Sequence, residues 1–152
     1  MGFTVVPRVE ILLVEDSPAD VGLVREALLE LGAEHQLHVV QDGDDALAFV
    51  QGQGKYMSSP RPDLVLLDIN LPGKSGFDVL QEIKEHPEFR LLPVVILSSS
   101  RAKKDVEKAY RLCANGYVAK PRELDDFYRV IRNIYIFWMT TAELPQAYAA
   151  RR

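Results

Sequence analysis

Short apolar runs alternate along the chain with segments in which polar and apolar residues are mixed. The runs cover Val9–Val14, Leu37–Val40, Leu64–Leu67, Val94–Leu97 and Gly116–Ala119. Nearly continuous runs of this kind are typical of strands buried on both faces of a parallel sheet. After each run the pattern predicts a helix, starting at Ser17–Pro18 and near Asp44, Gly76, Ala102 and Glu123. The sequence therefore predicts a doubly wound α/β fold, (βα)5, with a five-stranded parallel sheet and helices on both faces.

The chain length of 152 residues is that of one domain. We assign residues 9–139 to this domain, residues 1–8 to an N-terminal arm and residues 140–152 to a C-terminal extension that could clasp a second subunit. The segment Gln51–Pro62 is rich in Gly, Ser and Pro and is longer than most connections, so we expect a flexible surface loop there.

Composition excludes several classes of protein. The net charge of −4 leaves no basic stripe for nucleic acid, and no apolar stretch approaches the length of about 20 residues that spans a bilayer. The single Cys113 cannot form an intrachain disulfide, and the N-terminus has no export signal pattern, which favours a cytoplasmic protein. We expect Cys113 to be a small buried residue on the fourth helix.

Carboxylates follow two of the apolar runs. Glu15 and Asp16 follow the first run and Asp68 ends the third, and ligands of such sheets bind beyond the carboxyl ends of the strands. Oxygen donors without Cys or His suit Mg²⁺. We predict that Asp16 and Asp68 bind Mg²⁺, together with the backbone carbonyl of Asn70 and, through water, Glu15.

Ser98 and Lys120 follow the fourth and fifth runs. Taken singly, a Ser in this position is usually a cap and a Lys is usually solvated. Taken with the acids, Lys120 can pair with Asp68 at rest, and both Lys120 and Ser98 can then neutralise a transferring phosphoryl group. Asp68 would be the nucleophile.

Several segments together resemble the receiver domain of response regulators. They are Leu12–Ser17, Leu66–Gly73, Ser98–Ser100 and Tyr117–Pro121, within a resemblance that runs from Val9 to Met139. The resemblance implies a flavodoxin-like receiver fold, in which Asp68 is the phosphoacceptor for a sensor histidine kinase and Lys120 is the family's lysine. It also implies that Glu15 and Asp16 form the acidic pair, with Glu as a common variant at the first position, and that Ser98 and Tyr117 are the switch residues.

Other segments are similar to the single-domain regulators associated with phytochromes. These include Leu71–Gly76, Pro93–Ser100, Phe137–Trp138 and Leu144–Pro145. This resemblance implies a light-regulated kinase, such as a bacteriophytochrome, as the phosphodonor.

The last helix carries more apolar surface than one buried face requires. Its helical stripe consists of Leu124, Phe127, Tyr128, Ile131, Ile134, Tyr135 and Trp138. The run Ile134–Met139 is apolar all round and predicts a surface that either folds back or forms a homodimer. We favour a dimer through the fourth helix, fifth strand and fifth helix, with contacts at Ile134, Phe137, Trp138, Leu144 and Pro145.

Three other functions compete with a phosphorylation switch. A receiver-like scaffold could signal by binding alone, although Asp68, Asp16 and Lys120 are all present. A Mg²⁺-dependent phosphatase with an aspartyl-phosphate would resemble Asp-x-Asp, where this chain has Asn70 as the third residue. A flavodoxin-like cofactor carrier is disfavoured because Glu15 and Asp16 stand where a phosphate-binding loop needs glycines.

Overall fold

The computed structural model describes residues 9–32 and 34–145. Within these ranges a five-stranded sheet has the order β2-β1-β3-β4-β5, and every neighbouring pair is parallel. The strands are β1 (Val9–Val14), β2 (His35–Val40), β3 (Leu64–Leu67), β4 (Val94–Ser98) and β5 (Gly116–Ala119). The predicted sheet is confirmed, with β2 beginning at His35 instead of Leu37.

One helix follows each strand. The helices are α1 (Pro18–Glu30), α2 (Gly43–Gln51), α3 (Gly76–Glu85), α4 (Lys103–Arg111) and α5 (Leu124–Ile136). Ser17 caps α1 as predicted, because its hydroxyl accepts a hydrogen bond from the Asp20 backbone N–H at 3.3 Å. Ser75 caps α3 in the same way, with the Asp78 backbone N–H as donor at 3.2 Å.

The two faces of the sheet form separate apolar clusters. Leu12 and Val14 of β1 pack with residues of α2 and α3, whereas Ile11 and Leu13 pack with residues of α1 and α5. Successive side chains of a strand point to opposite faces. Both faces are covered, so nearly every position must be apolar, which explains the continuous runs in the sequence.

The segment Gln51–Pro62 packs partly against the domain instead of lying entirely on the surface. It contains a 3₁₀ turn, Gly54–Tyr56, and the Tyr56 ring lies 5.2 Å from the Phe49 ring. Arg61 is buried, forms an ion pair with Glu88, and lies 5.1 Å from the Phe89 ring. The prediction of a surface loop is therefore wrong for the end of this segment, where Arg61 is anchored to the chain before β4.

The prediction that Cys113 is buried on the fourth helix is also wrong. α4 ends at Arg111, and Cys113 lies beyond it, exposed, with a φ of 69°. Its backbone N–H donates to the Tyr110 carbonyl at 3.0 Å. The left-handed backbone takes the residue off the buried face of the helix.

The stripe predicted on the last helix is largely confirmed. Phe127, Ile131, Ile134 and Tyr135 are buried, but Leu124 is 51% exposed at the first position of α5. After Ile136 the chain continues as a π-helical turn, Phe137–Thr141.

Parts of the predicted terminal segments lie outside the described residues. Residues 1–8 of the N-terminal arm and residues 146–152 of the C-terminal extension belong to this group. Among the residues that are described, none of the helices is long and apolar enough to span a bilayer.

Candidate functional site

The candidate residues meet at the carboxyl edge of the sheet. Glu15 directly follows β1, Asp68 directly follows β3, Ser98 is the last residue of β4, and Lys120 directly follows β5. Because β3 lies between β1 and β4, Asp68 occupies the middle of this edge. The fold thus brings together residues that are up to 105 positions apart in the chain.

Lys120 is the centre of a network of carboxylates. Its Nζ lies 2.7 Å from Glu15 Oε2, 2.8 Å from Asp20 Oδ2 and 3.0 Å from Asp68 Oδ2. An ammonium group has three donors. All three are therefore used by carboxylates, and the predicted pairing of Lys120 with Asp68 is present.

The second oxygens of the two buried acids bond to backbone N–H groups. Glu15 Oε1 accepts from Ser17 at 3.0 Å, and Asp68 Oδ1 accepts from Asn70 at 3.2 Å. Glu15 is 2% exposed and Asp68 is 6% exposed. Each carboxylate is consequently held between Lys120 on one oxygen and a loop on the other.

Charge and burial oppose each other at this site. Burial raises the pKa of Glu15 to about 7, although hydrogen bonds with Lys120 and the Ser17 backbone act in the opposite direction. Burial alone would lower the pKa of Lys120, but its hydrogen bonds with Asp20 and Glu15 and the charge of Asp68 outweigh this effect and raise it. Lys120 is therefore a permanent cation within an excess of acids.

Three of the acids could share a cation. One carboxylate oxygen from each of Glu15, Asp16 and Asp68 can be chosen so that all three lie within 4.8 Å of one another, with Asp16 exposed to solvent. Carboxylate oxygens without nitrogen or sulfur donors suit a hard divalent ion. The donor set therefore fits the expected metal, while the contribution of the Asn70 carbonyl stays a prediction.

The two predicted switch residues both contact Ser100. Ser98 is fully buried, and its Oγ accepts from the Ser100 backbone N–H at 3.3 Å. The hydroxyl of Tyr117 donates to the Ser100 carbonyl at 2.8 Å. Ser100 Oγ in turn donates to Asp105 Oδ2 of α4 at 2.5 Å. The β4–α4 connection thus links the site to the surface of α4.

Sequence reasoning missed Asp20 and Ser100. Asp20 stands three residues after the cap Ser17, in the first turn of α1, and this turn faces the same edge of the sheet as Lys120. The available signal was an acid in the first turn of the helix that follows Glu15 and Asp16. For Ser100 the signal was its position two residues after Ser98.

Gly76 allows α3 to start against the end of β3. Its N–H donates to the Ile69 carbonyl at 2.9 Å, and a Cβ at this position would lie 2.1 Å from the Asp68 carbonyl oxygen. A side chain there would displace the backbone that holds Asp68.

The residues predicted to form an interface differ in exposure. Ile134 is 8% exposed and belongs with Ile131 and Phe127 to an apolar cluster inside the domain, and its role at an interface stays a prediction. Trp138 is partly buried against the same cluster, whereas Phe137 is 51% exposed. Of the other two predicted contacts, Leu144 is partly buried and Pro145 is exposed.

Residues 11–132 match the family model of the response regulator receiver domain. The chain belongs to the response regulator receiver family. It is accordingly a signalling protein of phosphorylation-based two-component systems, whose partner is a histidine kinase, and it belongs to a family whose domains bind a divalent metal.

Individual relatives are similar over nearly the whole chain. Response regulator Rcp1 of Synechocystis sp. is 48% identical over 141 residues, which cover 93% of this chain and 95% of Rcp1. The crystal structure of the Mn²⁺-bound form of Rcp1 has a TM-score of 0.86 at 47% identity and covers 91% of this chain and 99% of its own. The crystal structure of the phosphorylated cyanobacterial phytochrome response regulator RcpA has a TM-score of 0.89 at 41% identity. It covers 92% of this chain and 100% of the RcpA chain.

Proposed function

We propose that Asp68 accepts the phosphoryl group from a sensor histidine kinase, with Mg²⁺ bound by Asp16, Asp68, the Asn70 carbonyl and, through water, Glu15. The observation that carries this proposal is the contact of Lys120 with Asp68 inside a cluster of acids. A buried carboxylate that is paired with a fixed cation at the centre of the sheet edge is suited to an acyl phosphate, because the cation remains beside the new charge.

In the transfer step an oxygen of Asp68 attacks the phosphorus, and the bond between phosphorus and the kinase histidine breaks. The electron pair of that bond returns to the imidazole, which takes up a proton. Lys120 moves one of its donors to a phosphoryl oxygen, and the Ser98 hydroxyl donates to another. Mg²⁺ at the acidic cluster would supply further positive charge toward the phosphoryl oxygens.

Phosphorylation then changes the β4–α4 connection. At rest the Oγ of Ser98 accepts a hydrogen bond from the Ser100 backbone N–H at 3.3 Å. This bond breaks once Ser98 turns toward the phosphoryl group. Tyr117 is bound to Ser100 at 2.8 Å and repacks with it. The surface formed by α4, β5 and α5 therefore carries the signal.

The proposed phosphodonor is a light-regulated kinase of the bacteriophytochrome kind, and the proposed location is the cytoplasm. The proposed phosphodonor is supported by the similarity of the chain to the phytochrome response regulator RcpA and to Rcp1. The chain is also proposed to form a homodimer through α4, β5 and α5, in which a second copy would cover the exposed side chains of Phe137 and Ile136, 51% and 43% exposed. Coexpression with candidate kinases and transfer from the autophosphorylated kinase would test the donor.

The phosphoacceptor is tested with acetyl phosphate, with and without Mg²⁺, followed by intact mass. The wild type should gain roughly 80 Da per phosphoryl group in a Mg²⁺-dependent manner, and Asp68→Asn should not. Asp78→Asn is the matched control, because Asp78 is an exposed acid on α3 outside the site. Absence of an adduct on the wild type would favour the phosphorylation-independent scaffold, and multiple turnover on a phosphomonoester would favour the phosphatase.

The dimer is tested by sedimentation of the wild type and Phe137→Glu. A charge at this position should weaken self-association, whereas Leu29→Glu should not, since Leu29 is 66% exposed but lies on α1. A wild type that sediments as a monomer with and without phosphorylation would contradict the dimer.

A further inference from the structure

Asp20 is an acid of the site that the phosphoacceptor and metal assignments leave without a role. Its Oδ2 lies 2.8 Å from Lys120 Nζ, closer than Asp68 Oδ2 at 3.0 Å. Its side chain is 29% exposed, whereas the side chains of Glu15 and Asp68 are 3% and 8% exposed. Asp20 therefore contacts Lys120 from the solvent side of the site.

The position of Asp20 is fixed independently of Lys120. It is the third residue of α1, and its backbone N–H donates to the cap Ser17 at 3.3 Å. Ser17 is also tied to Glu15 through its own backbone N–H. The start of α1 thus holds the carboxylates of Asp20 and Glu15 at set positions on two sides of the ammonium group.

Asp20 is not in the group of three acids that can share a cation, which consists of Glu15, Asp16 and Asp68. Its only side-chain bond among those described runs to Lys120. Its effect on the reaction must therefore pass through the lysine.

From this geometry we propose that Asp20 is a positioning residue, which together with Glu15 holds Lys120 while Asp68 becomes phosphorylated. The inference rests on the proposed role of Asp68. In the resting site Asp68 takes one of the three ammonium donors, and that donor must turn to a phosphoryl oxygen during transfer. Two remaining bonds, to Glu15 and Asp20, keep the ammonium group from following the new negative charge out of place. With Glu15 alone, Lys120 would rotate about a single anchor.

Removing the Asp20 charge has two opposite possible effects, and the experiment separates them. If positioning dominates, Asp20→Asn should slow phosphorylation by acetyl phosphate about three- to tenfold, as expected for a charge-assisted bond that is partly exposed. If Asp20 only repels the anionic donor, the same variant should react faster. Asp20→Glu should recover part of the wild-type rate, because a carboxylate is restored.

The start of α3 offers a matched control for the helix-capping role of Asp20. Asp78 is also the third residue after a Ser cap, with its N–H 3.2 Å from Ser75 Oγ, but it is exposed and does not contact Lys120. Asp78→Asn should retain the wild-type rate. In a Lys120→Gln background, Asp20→Asn should cause no further loss, since its effect passes through the lysine.

A readout without phosphorylation keeps this inference separate from the proposed function. In ¹⁵N-labelled protein, the ammonium resonance of Lys120, assigned by its loss in Lys120→Gln, should broaden or exchange faster in Asp20→Asn and stay unchanged in Asp78→Asn. Mg²⁺ binding measured by calorimetry should persist in Asp20→Asn. If Mg²⁺ binding is lost, Asp20 is a metal ligand and the inference is overturned.

The remaining outcomes are also decisive. If the wild type is phosphorylated and Asp20→Asn is phosphorylated at the same rate, the positioning role is overturned and the phosphoacceptor proposal remains intact. If the wild type gains no phosphoryl group, the phosphoacceptor proposal is overturned. The ammonium resonance alone then decides whether Asp20 holds Lys120.

Discussion

Replacing Asp16 by Asn should make the metal-free protein more stable. The carboxylates of Asp16, Glu15 and Asp68 approach within 4.8 Å of one another, and the bonds of Lys120 go to Glu15, Asp20 and Asp68. Asp16 is therefore an acid that adds repulsion without a direct bond to the lysine.

The size of the effect follows from the separation. At 4.8 Å two unit charges repel by about 3.5 kcal/mol at an effective dielectric of about 20, and by about 0.9 kcal/mol at about 80. Asp16 is exposed and Asp68 is buried, so the repulsion of this pair lies between these limits, and Glu15 adds less than a full charge near neutral pH because burial raises its pKa to about 7. Because loss of an acid beside a helix start costs about 0.3–1 kcal/mol, we expect a net stabilisation of about 1–3 kcal/mol.

Urea unfolding in EDTA at low ionic strength measures this change. The midpoint of Asp16→Asn should exceed that of the wild type by roughly 0.5–1.5 M, and the difference should shrink at high salt. Addition of Mg²⁺ should stabilise the wild type, because the proposed metal site exists only in the folded state, and should leave the variant nearly unchanged. Asp78→Asn should lose a little stability under all conditions.

Two results would refute this reasoning. One is an Asp16→Asn variant that is less stable than the wild type without metal, which would mean that Asp16 is not repelled by its neighbours. The other is equal stabilisation of both proteins by Mg²⁺, which would remove Asp16 from the metal site.

Other regions of the chain give further predictions. Burial raises the pKa of Glu15 from 4.5 to about 7, so between these pH values the folded protein holds a proton that the unfolded chain has released. The stability of the metal-free protein should therefore fall as the pH rises through this range. Urea unfolding should show this fall in the wild type and not in Glu15→Gln. Gly76→Ala should destabilise the fold by more than about 1 kcal/mol and slow phosphorylation of Asp68, because its Cβ would lie 2.1 Å from a backbone oxygen. Gly22→Ala, with open space around its Cβ inside α1, should instead gain up to about 1 kcal/mol in the same thermal or urea assay. Lys84→Met should cost about 1–3 kcal/mol in urea unfolding, since Lys84 Nζ bonds two backbone carbonyls and the amide oxygen of Asn115 at 2.8–3.1 Å.

The amino-acid sequence by itself determined the order of strands and helices and most residues of the site. A strand that is covered on both faces must be apolar at successive positions, so runs such as Leu64–Leu67 can be recognised as buried strands from the sequence. The residue after such a strand must lie at the carboxyl edge of the sheet. This rule alone brings Glu15, Asp68 and Lys120 to one edge, without knowledge of any side-chain conformation.

The tertiary structure decided which side chains meet there and which face solvent. The contact between Asp20 and Lys120 joins residues 100 positions apart, and it depends on how α1 is rotated by its packing on the sheet and on α5. The burial of Ile134 and the exposure of Phe137 depend on the same packing and on the π-helical turn that ends α5. A one-dimensional apolar pattern fixes the period of a helix, but the direction of each side chain is set by the neighbours against which the helix comes to rest.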